Sequence, residues 1–432
     1  MNRRLCFVTL PFAGHINPLL PLALGAQEAG YDVEVVTGEA KLAVVEAAGL
    51  RASVLRSIST GVFKGIFNTG GEFGRGPARV AAQFRAAFAL LRAIRDELSA
   101  NWRETPPDLV VADFASVPVG LAADPIGIPW ITIIRGGFFL EGRDYPPPFL
   151  GGLTPMPGVL GQIRDAAGSA ALHHGKDVIT WLLRREMAQL GLRWRRADGS
   201  ESIYSNRAIL AQDMAELEFP RAWPAALRFI GPMAENPEPP LALQQPAGRP
   251  RVLVTLGTHL RVAKRTLVEE VRALAQRLPE TQFVISLGDS GARSAVSSHE
   301  EPGLTVYPFV PYRAEIPSYD AVIHHGGPGI IGAAIAEAKP SLIKPHIFDQ
   351  FDFAARIEHH GLGLRARQIG SDEAAAKLRR LLHEPWPALP VFAAAAARYR
   401  PVESFLETVE AQIGGPVSLD HGATARSRSS LH

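Results

Sequence analysis

Residues 324–350 read HHGGPGIIGAAIAEAKPSLIKPHIFDQ. The apolar run 321–323 ahead of them reads as a strand that breaks into glycines and restarts as an alanine-rich helix behind Pro328. A helix N-terminus carries free N–H groups and a partial positive charge, so it attracts anions such as phosphate. Gly326, Gly327 and Gly329 let a diphosphate approach the backbone, and Pro328 suits a first helical turn. A second strand, 341–344, then delivers Asp349 and Gln350, a carboxylate and an amide, to the same sheet edge. An anion cradle flanked by His325 and a hydroxyl-reading pair suggests a nucleotide sugar.

Around this stretch the chain alternates strands and helices. Strands are expected at 5–10, 32–37, 50–55, 109–112 and 130–134, with helices at 18–29, 41–48, 76–100 and 116–124. The second half repeats the pattern in kind, with strands at 251–256, 282–287, 304–307, 321–323 and 341–344. Its helices are expected at 265–278, 328–338, 351–360, 372–382 and 402–413. Near-continuous apolar strands separated by helices imply parallel sheets covered on both faces. The fold class is therefore α/β, with two doubly wound, Rossmann-like domains facing a cleft. Residues 1–219 form an acceptor-side domain and 220–250, rich in proline, a linker. Residues 251–413 form a nucleotide-sugar domain, whose last helix is free to pack back on the first, and 414–432 a disordered tail. The Gly-, Pro- and Phe-rich segment 136–161 reads as a substrate-facing loop.

Composition narrows the class. At 432 residues the chain exceeds one ordinary core. Its 47% apolar and 20% charged residues are those of a globular protein. A net charge of +2 calls for no nucleic-acid partner. Cys6 is the only cysteine, which fits a reducing cytosol. Neither a secretory signal nor a transmembrane run is evident, so a cytoplasmic protein is expected. The basic cluster Arg193, Arg195 and Arg196, after Arg184 and Arg185, reads either as a solvated helix face or as a peripheral membrane contact.

His15 lies in the loop leaving the first strand, and Asp113 follows the fourth. In a sheet of order 3-2-1-4-5 those strands are neighbours, so both side chains emerge at one edge. An imidazole whose second nitrogen is held by a carboxylate is a general base with a fixed tautomer. No Gly-x-Ser-x-Gly elbow, Asp-x-Asp loop or tight His/Cys cluster occurs, and the adjacent pairs His173-His174 and His359-His360 point to different helix faces. No metal or resident cofactor is expected.

The segment 324–350 resembles the donor-binding signature of the family-one glycosyltransferases, which have the GT-B fold and serve macrolide, antibiotic and plant natural-product glycosylation. The Gly-His-x-x-Pro at Gly14-His15 and the Val-Ala-Asp ending at Asp113 resemble the family's catalytic dyad. The resemblance implies that Gly257 and Thr258 contact donor phosphates, that Phe309 stacks on the base, and that the Val310 backbone reads the base edge. Phe309 stands where Trp is usual, Ile330 where Thr or Ser is usual, and Ala333 where plant members carry an acidic ribose contact. The resemblance implies a UDP-glucose-type donor, because Asp-Gln commonly contacts glucose there.

Aromatic residues near the Gly- and Pro-rich loops, namely Phe63, Phe138, Phe139, Tyr145 and Phe149, favour an apolar or aromatic acceptor. Phe67 and Trp181 add to that surface, and Arg135 and Arg143 are placed to meet an acidic acceptor. The expected activity is inverting, metal-independent transfer of a hexose from a nucleotide sugar to a hydroxyl of a lipophilic small molecule. The alternatives are a dTDP-deoxysugar transferase acting on a polyketide, a nucleotide-sugar epimerase, and a non-catalytic auxiliary of a partner transferase.

Overall fold

The computed structural model describes residues 2–58, 77–142, 145–233, 248–257, 261–289 and 298–414, with backbone alone for 77–81 and 261–265. Seven parallel strands build the first sheet in the order β3-β2-β1-β4-β5-β6-β7. They are β1 (Arg4–Val8), β2 (Asp32–Thr37), β3 (Arg51–Val54), β4 (Leu109–Asp113), β5 (Trp130–Ile134), β6 (Ile209–Ala211) and β7 (Leu227–Phe229). Helices α1 (Ala13–Ile16), α2 (Leu20–Glu28), α3 (Leu42–Ala47), α4 (Pro77–Glu104) and α5 (Pro118–Ala123) connect the first five strands. Two more, α6 (Val159–Leu182) and α7 (Arg184–Leu190), lie between β5 and β6.

The second sheet has the order β10-β11-β9-β8-β12-β13-β14 and is parallel except for edge strand β10. Its strands are β8 (Arg251–Thr255), β9 (Gln282–Ser286), β10 (His299–Glu301), β11 (Leu304–Tyr307), β12 (Ala321–His324), β13 (Ser341–Ile343) and β14 (Gly363–Arg365). The accompanying helices are α8 (Arg261–Arg277), α9 (Tyr312–Glu315), α10 (Pro328–Ala336), α11 (Gln350–His359), α12 (Asp372–His383), α13 (Ala388–Ala396) and α14 (Pro401–Ile413). The central strands β4, β5, β8 and β9 are buried along their whole length, as sheets covered on both faces require.

Two departures from the sequence reading concern the linker and the loop at 136–161. Strand β7 lies inside the proline-rich span 220–250 and extends the first sheet to Phe229. Its three residues are too few to show alternation. The segment 136–161 is only partly a surface loop. It folds first into a turn, Gly137–Phe139, that is buried against the second domain.

The domains are tied together twice. Phe405 and Val409 of α14 enter the first domain's core, with Phe405 5.7 Å from Phe7. Gly25 of α2 leaves room for Val402, which a Cβ there would meet at 2.2 Å. At the other contact, Arg356 of α11 is fully buried between Phe138 and Phe219, 4.3 and 4.5 Å from their ring centres. It pairs with Glu218 at 2.7 Å.

Candidate active site

The carboxyl ends of β1 and β4 carry the first half of the site. Chain leaving β1 turns into the single helical turn α1, which lifts His15 over the edge, while Asp113 is the last residue of β4. His15 Nδ1 lies 2.9 Å from Asp113 Oδ1. That same oxygen accepts the Ala115 N–H at 2.9 Å, which fixes the carboxylate. Phe114 stacks on the imidazole at 5.2 Å and 21°, and Phe12 tilts against it at 5.8 Å. Arg135, just after β5, donates through Nη2 to the Gly14 carbonyl at 2.6 Å and lies 5.2 Å over the Phe114 ring. Phe12, Phe114 and Arg135 therefore complete the surroundings of His15. The sequence signal for the first two is adjacency to the Gly-His loop and to Asp113.

The second half is the carboxyl edge of β8, β12 and β13. Helix α10 starts at Pro328 with Gly327 as its N-cap, and no side chain caps it, so its first N–H groups face the edge unclaimed by a cap. The His325 ring is seated between two glycines. A Cβ on Gly257 would stand 2.9 Å from its Cε1, and one on Gly327 2.5 Å from its Nε2. His324 points the other way. It is fully buried, its Nδ1 accepts the Gly326 N–H at 3.0 Å, and burial pushes its pKa down to about 3, so the ring is neutral scaffolding. Gly326 takes φ +93°, and a Cβ there would meet the Gln350 carbonyl at 3.0 Å. This close approach sets the β12 turn beside the start of α11.

Asp349 is the N-cap residue of α11 and half-buried. Burial raises its carboxyl pKa, opposed by the charges of Arg135 and His15. Asp349 thus faces Arg135 and His15 of the first domain across the cleft. Gln350 is differently occupied, because its Oε1 accepts the N–H groups of His346 and Ile347 at 2.8 and 3.2 Å. Val310 is buried, and its N–H donates to Ser286 Oγ at 3.0 Å, which takes that N–H away from a base edge. Phe309 beside it is half-buried. Ile330 and Ala333 belong to the apolar cluster with Leu253, Val284 and Ile316. The position after the third glycine therefore faces the core rather than the cradle. Thr258 lies outside the described residues.

The acceptor expectation needs correction. Phe138 and Tyr145 are buried and offer no surface. Phe138 packs edge-on against Phe353 at 5.0 Å, and the Tyr145 hydroxyl donates to the Leu140 carbonyl at 2.7 Å. Phe138 fills the seam between the domains, while Tyr145 packs under the Arg221 guanidinium at 4.0 Å. Phe139 is nearly buried and Phe149 is 42% exposed. They continue the aromatic wall outward from His15, with Phe114–Phe139 at 5.0 Å and Phe139–Phe149 at 5.6 Å. Phe63, Phe67 and Arg143 lie outside the described residues.

Two parallel-sheet domains, one edge bearing a carboxylate-held histidine and the other an uncapped helix N-terminus, define a GT-B glycosyltransferase. Residues 271–409 match the family described as erythromycin biosynthesis protein CIII-like, C-terminal domain. The chain is 27% identical over 415 residues to 4'-demethylrebeccamycin synthase of Lentzea aerocolonigenes, covering 89% of this chain and 93% of that one. It is 26% identical over 421 residues to TDP-daunosamine transferase DnrS of Streptomyces peucetius, covering 89% and 90%. The crystal structure of the glycosyltransferase SnogD from Streptomyces nogalater superposes with a TM-score of 0.64 at 22% identity, covering 95% of this chain and all of that one. The protein is a glycosyltransferase of GT-B fold, similar to enzymes that build glycosylated natural products.

Proposed function

We propose that this glycosyltransferase moves a hexose, with inversion and without a metal ion, from a nucleotide diphosphate sugar to a hydroxyl of a lipophilic, aromatic small molecule. The observation that carries this reading is the His15–Asp113 contact of 2.9 Å under a wall of phenyl rings. His15 Nδ1–H donates to Asp113, leaving Nε2 to accept the acceptor's hydroxyl proton, and the resulting imidazolium is stabilised by the carboxylate. The alkoxide oxygen bonds to the sugar's anomeric carbon while the bond from that carbon to the diphosphate oxygen breaks. Attack from the face opposite the leaving group inverts the centre. Negative charge growing on the diphosphate is met by the α10 N–H groups, with Gly257, Gly326, Gly327 and Gly329 giving close approach and His325 beside them. Thr258 is assigned to the same phosphates and Phe309 to the base.

Asp349 is assigned to the sugar hydroxyls, which supports a fully hydroxylated, UDP-glucose-type donor. A dTDP-deoxysugar is the second reading. Two hydrogen bonds already fill the Gln350 oxygen, which weakens its claim on a hydroxyl. A similar protein is also named a TDP-daunosamine transferase. An epimerase would want further acid/base carboxylates in the cleft, and an auxiliary protein would have no use for a base opposite Asp349. The nucleotide sugar is a co-substrate, and no resident cofactor is assigned. With one cysteine, Cys6, the chain suits the reducing cytosol.

The test is a mass-shift screen of aromatic acceptors against UDP-glucose and a dTDP-deoxyhexose, with the product anomer assigned by proton coupling. An inverted glycoside formed equally well in EDTA is expected. A retained anomer, or activity restored only by added magnesium or manganese, contradicts the scheme.

A further inference from the structure

Helix α6 turns its polar side inward and its apolar side out. Its buried positions are Gly161, Asp165 and Ser169, and its Lys176 reaches inward to Glu141 and Glu201. Facing out are Leu160, Ile163, Val178, Trp181 and Leu182, between 56% and 75% exposed. At 3.6 residues per turn the exposed large apolar positions sweep an arc of about 200°, from Val159 to Ile179, along a helix roughly 36 Å long. A second helix covers a narrower stripe than this, whereas a lipid surface wets a broad face. Asp177 is the one exposed charge on α6 itself.

The charges at its end have the sign that an anionic surface needs. Arg184 lies 5.4 Å over the Trp181 ring. Arg184, Arg185 and Arg193 are exposed, and none of them has an acidic partner among the described residues. The other two arginines of the basic cluster are spent internally, Arg195 on Glu141 and Arg196 on the carbonyls of Glu201 and Tyr204. A tryptophan and leucines beside outward arginines form the interfacial pattern of a helix lying in a headgroup layer. No helix among the described residues is long and apolar enough to cross a membrane.

We propose that α6 docks the protein in the plane of an anionic lipid surface, with its apolar face in the headgroup boundary and Arg184, Arg185 and Arg193 on the lipid phosphates. Ahead of the helix, the exposed Met156, Leu150 and Phe149 carry the apolar surface to the aromatic wall that ends at His15. A lipophilic acceptor dissolved in the bilayer thereby meets the cleft without crossing water. This last step rests on the functional reading above; the lipid contact does not.

Co-sedimentation of the full chain with vesicles of phosphatidylcholine alone, or mixed with phosphatidylglycerol, tests the proposal. Binding to the mixed vesicles is expected. The pair Ile163→Glu and Val178→Glu should lower the bound fraction about tenfold or more, and Arg184→Glu with Arg185→Glu should remove the preference for phosphatidylglycerol. Circular dichroism checks that the variants fold. Quenching of tryptophan emission by brominated lipid provides a readout on the unaltered protein. No binding or quenching by the unaltered protein overturns the proposal, as does binding that the variants leave unchanged. A doubled mass in light scattering without lipid, halved by Val178→Glu, also overturns it, because a second copy would then cover the face.

Discussion

Around His15 the order is imposed from three sides: Asp113 holds Nδ1, Phe114 stacks on the ring, and Arg135 grips the Gly14 carbonyl just before it. Each acts on orientation, to which proton transfer is sensitive. Phe114→Ala removes the stacking partner and leaves both ionisable groups. We expect kcat to fall by roughly ten- to a hundredfold with little change in donor KM. Steady-state kinetics with a fixed acceptor check this, and an unchanged kcat would show that the ring has no part in placing His15. Asp113→Asn should also keep the ring in place but withhold the charge that stabilises the imidazolium, so its loss should be smaller than that of His15→Ala.

At the scale of elements, α11 is where the two domains negotiate. Arg356 and Glu218 form a fully buried pair, and Glu218 also accepts the Phe138 N–H at 2.8 Å. Removing one partner strands the other. Arg356→Met should cost roughly 3–5 kcal/mol in denaturant unfolding, and adding Glu218→Leu should recover part of that. A loss below about 1 kcal/mol would show that water reaches Glu218 in the folded state. One turn earlier, Asp352 accepts the Phe149 N–H at 2.9 Å, and burial pushes its carboxyl up from 3.8 to about 6. Because the folded-state value is the higher one, the folded protein binds more protons within that interval. This group's contribution to stability therefore falls as pH rises from about 4 to about 6. Asp352→Asn should flatten the dependence of Tm on pH across that window. An identical slope in the variant would place the titration elsewhere.

Taken whole, the molecule depends on α14 crossing back to the first domain. Phe405→Ala should cost about 3–5 kcal/mol and loosen hydrogen exchange in β1 and α2, which it packs against, although it lies almost 400 residues away in sequence. Protection lost only in the second domain would contradict that packing. Much of the fold was legible because buried parallel strands read as apolar runs: 32–37, 130–134 and 304–307 appear with the expected limits. The three-residue strands β6 and β7 were not legible, since nothing in so short a run separates a strand from a loop. The approach of His15 to Asp113 followed from strand order alone. The burial of Phe138 did not, because its partners Phe353 and Arg356 stand more than two hundred residues away. Ile330 showed a missing hydroxyl in sequence, and only the packing of α10 showed that its side chain faces the core.

The central claim is that His15 acts as the base and does not hold the donor. The direct measurement pairs single-turnover transfer with calorimetric titration of the nucleoside diphosphate, for the unaltered enzyme and His15→Ala. Transfer should fall roughly 10²–10⁴-fold while the Kd for the diphosphate stays within about twofold, since the cradle proposed for it lies on the other domain. Near-normal transfer by His15→Ala, or a loss fully explained by weaker diphosphate binding, would contradict the account.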